Sequence, residues 1–103
     1  MSSSINIDHG YTEATIVLSC DFDMFYKVAT TLEEGFSVSF TKVHDFDTLY
    51  WEFEWKEQHL VLYYNIYLDI KIYPKSLMNA SMVANAAVIE VSSLLYLQGY
   101  RVV

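Results

Sequence analysis

The lone thiol of the chain is the first side chain that could act as a nucleophile. Cys20 ends a predicted strand and directly precedes a helix start, a position that can lower the pKa of a thiol. It also continues the apolar face of Ala14, Ile16 and Leu18, and unpaired cysteines are among the most buried residues. We therefore interpret Cys20 as a core residue.

Imidazole and carboxylate groups that could bind a divalent metal occur together in His44–Asp47 and at Asp8–His9. No HExxH, paired-cysteine or EF-hand spacing accompanies them. Aspartate is common in turns because its side chain hydrogen-bonds nearby backbone groups. We interpret His44, Asp45 and Asp47 as turn residues, and we expect neither a metal site nor a cofactor.

Glu52 and Glu54 are two residues apart in a predicted strand, so both carboxylates point to one face. Paired carboxylates can perform acid–base catalysis in a cleft, but the face of a sheet is flat and solvated. The three glycines, at positions 10, 35 and 99, form no phosphate-binding loop, and no Gly-x-Ser-x-Gly elbow is present. We predict no catalytic activity.

Alternation and helical spacing predict the elements that would position these side chains. Residues 12–20 and about 36–43 alternate as strands, on either side of a helix at about 22–34. Three further strands follow, at about 49–56, 59–66 and 69–73, and a final helix capped by Ser76 or Asn79 runs to about 98. The order β-α-β-β-β-β-α predicts an α+β two-layer sandwich, a mostly antiparallel five-stranded sheet with two helices packed on one face.

Length and composition predict one domain over residues 1–103, with residues 1–10 partly disordered. Apolar residues make up 53%, enough for a core. The net charge of −7, with few and scattered cations, disfavours nucleic acid and anionic membranes as partners. A single cysteine and the lack of a signal-peptide pattern lead us to expect a cytoplasmic protein.

The sheet face opposite the helices is predicted to carry an acidic, tyrosine-bearing surface. If Trp51, Phe53 and Trp55 pack under the helices, their alternating neighbours point outward. Tyrosine is enriched at protein interfaces. The sequence therefore suggests that the partner-binding residues are Tyr50, Glu52, Glu54 and Tyr63. The alternative is that these side chains only support the sheet through cross-strand contacts.

The final helix carries one charge, Glu90, and is apolar on nearly every side. Such a helix in a soluble protein must be covered on more than one side. The sequence predicts self-association through Val88 and Ile89 as a homodimer, with burial inside one chain as the alternative.

These patterns predict a small acidic protein–protein interaction module without catalytic activity. Its partner would be a protein, with a basic one electrostatically favoured, or a second copy of itself. The alternative is a small-molecule-binding module with an apolar pocket between sheet and helices, lined by Trp51, Trp55, Tyr64 and Met82.

Overall fold

A computed structural model of the chain describes residues 5–6, 10–17, 22–45, 47–65 and 70–100. The strands within these ranges are β1 Ile5–Asn6, β2 Glu13–Val17, β3 Phe40–Asp45, β4 Thr48–Trp55, β5 Gln58–Asn65 and β6 Ile70–Pro74. The helices are α1 Phe22–Gly35 and α2 Met82–Leu97, with a short 3-10 helix at Leu77–Asn79.

The strands form one sheet in the order β1-β2-β6-β5-β4-β3, and each neighbouring pair is antiparallel. The five longer strands are those predicted from alternation, and the two-residue β1 adds a short pairing beside β2. Strands β3 to β6 form a meander. The α+β prediction is confirmed.

Both helices pack on the same face of the sheet because their apolar stripes share one core. Phe25 of α1 and Val88 of α2 are fully buried in the cluster that contains Trp51 and Leu62. The Phe25 and Trp51 rings meet edge to face at 4.9 Å. Burial of these apolar side chains stabilises the two-layer arrangement.

The segment 36–39 is not the strand that alternation predicts. The N–H groups of Phe36 and Val38 both donate to the Leu32 carbonyl, at 3.2 and 3.1 Å, and Ser37 is left-handed with φ 58°. These residues close the end of α1, so β3 begins only at Phe40. It extends through His44 and Asp45, so their interpretation as turn residues is wrong: they pair with Leu49 and Thr48.

The start of α2 also differs from prediction, since neither Ser76 nor Asn79 caps it. The N-cap is Ser81, whose hydroxyl accepts a hydrogen bond from the Ala84 N–H at 3.1 Å. Ala80 is extended and separates the 3-10 helix from α2. Among the described residues no helix is long and apolar enough to cross a membrane.

Candidate interaction surfaces

The outer sheet face, opposite α1 and α2, is built by the alternating positions of four paired strands. Tyr50 lies opposite Tyr63, and Glu52 lies opposite Val61. Val61 lies in turn opposite Tyr73. The register therefore collects several aromatic and acidic side chains on one surface.

Four tyrosines form a continuous row across this face, the tyrosine row. The ring centroids are 5.4 Å apart between Tyr50 and Tyr63, and 5.9 Å apart between Tyr63 and Tyr73. Tyr11, just before β2, extends the row at 6.2 Å from Tyr73. All four side chains are half-buried, with tilted rings at distances typical of favourable aromatic pairs.

The tyrosine row and its neighbours cover apolar surface on the outer sheet face. Val61 points away from the helices, yet only 5% of it is exposed. Its cross-strand neighbours are Glu52 and Tyr73, and Tyr63 follows two residues along β5. Long side chains therefore seal this position, much as helices seal the other face.

Tyr73 is an ionisable group of this face whose surroundings shift its pKa. Burial raises the pKa of its phenol far above its usual range, and the negative charge of neighbouring tyrosinates and of Glu13 raises it further. Tyr73 is therefore neutral at physiological pH, with a hydroxyl that can donate a hydrogen bond.

The carboxylates of the outer sheet face differ in how they are neutralised. Glu13 lies 3.3 Å from the Lys71 ammonium, and Glu52 lies 3.0 Å from that of Lys75. Glu54 is exposed, opposite His59. It lines a shallow depression of about 400 Å3 with Glu52, His59 and Lys75, so the accessible negative charge lies at this end of the face.

A second surface runs along the solvent side of α2, and we call it the α2 stripe. Met82 is 89% exposed, Leu97 76% and Val83 62%. The residues of the α2 stripe recur at helical spacing on one side of α2. They are Met82, Val83, Ala86, Ile89, Ser93, Tyr96 and Leu97.

The only charge of α2 is bound beside the stripe. The Glu90 carboxylate accepts hydrogen bonds from Trp55 Nε1 at 2.7 Å and from Lys56 Nζ at 2.9 Å. The bond from Lys56, followed by that from Trp55, lowers the pKa of Glu90. Glu90 therefore ties α2 to the β4–β5 turn, and the seven residues of the stripe are uncharged.

The structure brings together the four residues suggested for partner binding. Tyr50, Glu52 and Glu54 lie on β4, and Tyr63 lies beside them on β5. The two residues suggested for self-association lie on different sides of α2. Val88 is fully buried in the core, whereas Ile89 is 45% exposed in the middle of the stripe.

The other candidate residues do not assemble into a site. Within the described ranges no group of three or more His, Cys, Asp or Glu side chains could hold a metal. Cys20, Asp8 and His9 lie outside those ranges. The proposed lining of a small-molecule pocket is dispersed, because Trp51 and Tyr64 are packed in the core and Met82 faces solvent.

Sequence reasoning missed Tyr11, Lys71 and Lys75 as members of the outer sheet face. Tyr11 lies before β2, which joins the sheet beside β6 through a long-range pairing. Lys71 alternates with the inward residues Ile70 and Ile72, a signal that could have placed it outward.

No protein-family model, curated protein or solved structure matches this chain in the comparisons made. The two surfaces are therefore interpreted from their own geometry and charge.

Proposed function

We propose that this protein is a small acidic protein–protein interaction module that binds a basic partner protein through the outer sheet face. The observation that carries the proposal is the tyrosine row, which runs from Tyr50 to Tyr11 across the face that the helices leave uncovered. Tyrosines offer a large, partly rigid contact area with a polar tip, which suits protein recognition.

Charge supports a basic partner over a neutral one. The chain carries a net charge of −7, and the exposed carboxylate of Glu54 lies at one end of the face, beside the Glu52–Lys75 ion pair. A cationic side chain of the partner would meet Glu54 while its apolar surface contacts the tyrosines. Such pairing increases the association rate and gives the interaction a dependence on salt.

A charge-reversal pair tests the proposal with a matched control. The protein, immobilised as bait, is compared with Glu54→Lys on the outer sheet face and Glu34→Lys on the exposed side of α1. Both changes alter the net charge equally. We expect a basic protein from a lysate of the native cells to be retained by wild type and Glu34→Lys, and lost from Glu54→Lys.

The salt dependence of the captured complex supplies the second measurement. We expect release between about 0.1 M and about 1 M salt, as screening shortens the reach of exposed charges. Equal retention on all three baits, or no basic protein on any bait, would contradict the proposal. Thermal unfolding of each bait confirms that it is folded.

A further inference from the structure

We infer that the α2 stripe is the interface of a twofold-symmetric homodimer, in which α2 packs antiparallel against α2 of a second copy. The surface is separate from the outer sheet face, so the inference does not depend on the function proposed above. The argument rests on the symmetry, charge and area of the stripe.

The stripe is self-complementary about its own middle. α2 runs from Met82 to Leu97, so its centre falls between residues 89 and 90. Large apolar side chains lie at both ends, with Met82 and Val83 at one and Tyr96 and Leu97 at the other.

The interior of the stripe has the same symmetry. The small residues Ala86 and Ser93 lie at equal distances from the centre, and Ile89 lies beside it. Reversing the helix therefore places large residues against large and small against small.

A twofold axis requires this kind of pattern. In an isologous interface the same patch on both copies must complement itself. An antiparallel α2 pair would place Met82 against Leu97 of the second copy, and Ala86 against Ser93. The small pair lets the two helices approach closely, and Ile89 would lie near its own counterpart at the axis, level with Glu90 of the second copy.

Charge favours a second copy over the basic partner proposed for the sheet. The seven residues of the stripe are uncharged. Glu90 lies in the same helical row as Val83 and Leu97, and its carboxylate is paired with Lys56 and accepts a hydrogen bond from Trp55. Such a surface offers a basic protein only a carboxylate that Lys56 already pairs. Two copies, each of net charge −7, repel least where they meet through an uncharged face.

The exposed apolar area is also of the right size. Stable interfaces bury about 800 Å2 per partner. Five large apolar residues of the stripe are exposed, and Leu77 and Met78 of the preceding 3-10 helix are exposed as well. At roughly 100 Å2 for each such side chain, the five residues of the stripe alone supply about 500 Å2, the larger part of that area.

Molecular mass in solution tests the interface. At concentrations up to about 0.1 mM, sufficient for an interface of this size, we expect wild type to have a mass of about 24 kDa, twice the 12.0 kDa of the chain. Ile89→Asp should halve this mass. Thr30→Asp, an equal charge change on the exposed side of α1, should leave it unaltered.

A mixing experiment tests the symmetry itself. Because residue 89 would lie near its own counterpart, Ile89→Asp and Ile89→Lys should each be monomeric alone and should form a heterodimer when mixed, as detected by native mass spectrometry. If Ile89→Asp fails to fold, Ala86→Lys takes its place and must likewise halve the mass.

Three results would overturn the inference. They are a monomeric wild type, a dimer that persists in the folded Ile89 and Ala86 variants, and a monomer that binds phosphatidylcholine vesicles through the stripe. The last result would identify the stripe as a membrane-contacting surface.

Discussion

The outer sheet face and the α2 stripe both direct apolar side chains away from the core, but only the sheet face covers them. Val61 on the sheet is 5% exposed, whereas Val83 on the helix is 62% exposed. Both valines point away from the core that lies between the sheet and the helices. The difference lies in their neighbours.

On the sheet, each residue has cross-strand neighbours close enough for long side chains to lie over it. Tyr63 and Tyr73 use this proximity around Val61. Along the solvent side of a helix, neighbours lie three or four residues away on the same cylinder, and Ala86 and Ser93 are themselves too short to cover the side chains beside them. A sheet can therefore cover its own outer face, whereas the solvent side of α2 stays exposed within one chain.

The largest expected effect is the loss of stability in Val61→Thr, which is compared with the same substitution at Val83. Val61→Thr keeps the shape and the strand preference but buries a hydroxyl, so we expect a loss of about 1–3 kcal/mol in the free energy of unfolding. Val83→Thr should change it by less than about 0.5 kcal/mol, because valine and threonine have similar helix propensities.

Urea unfolding of both variants in an Ile89→Asp background measures these differences without a contribution from dimer dissociation. Equal losses at the two positions would mean that the tyrosines do not cover Val61, and the contrast between the surfaces would fail.

The sequence predicts the covered face better than the exposed stripe, for a physical reason. Strand alternation has a period of two, so the inward position of Trp51 fixes Tyr50 and Glu52 as outward. In α2 almost every position is apolar, so periodicity does not separate Val88 from Ile89. Only the packing of α2 on the sheet, a long-range arrangement, decides that Val88 is buried.

The local errors have a similar origin. Phe36 and Val38 alternate like strand residues, but the carbonyl of Leu32 at the end of α1 accepts their N–H groups. Tyr11 joins the tyrosine row only because β2 pairs with β6. Neither the competing hydrogen bonds nor this pairing is encoded in a short sequence window.

A smaller effect, confined to alkaline pH, tests the burial of Tyr73. Its folded pKa is raised, so its neutral form contributes stability that is fully present below the unfolded pKa of about 10 and is lost as pH rises toward the folded pKa. We expect wild type to lose stability above pH 10 more steeply than Tyr73→Phe does.

Tyrosinate absorbance provides the matching measurement. The Tyr73 phenol should titrate above the usual range of a tyrosine in wild type, and this late step should be absent in Tyr73→Phe. Tyr96→Phe, on the α2 stripe, is the control and should retain it. An unchanged titration in Tyr73→Phe would show that the outer sheet face is as open to water as the stripe.

The smallest effect concerns Glu90, which lies in the helical row of Val83 and Leu97 and bonds to the β4–β5 turn. Its folded pKa is lowered by the hydrogen bonds from Lys56 and Trp55. Its contribution is therefore present above the unfolded carboxyl pKa and is lost as pH falls through the folded value. Glu90→Gln should reduce the midpoint of thermal unfolding slightly at neutral pH, and the difference from wild type should vanish in acid.

Glu34→Gln on the exposed side of α1 is the control for the loss of one carboxylate. Glu90→Gln also tests the charge pattern of the stripe. Because the Glu90 carboxylate is directed toward Trp55 and Lys56, its loss should leave the mass in solution unchanged, whereas Ile89→Asp one residue earlier should halve it. A change of mass in Glu90→Gln would place Glu90 inside the interface and would contradict an uncharged surface between two copies.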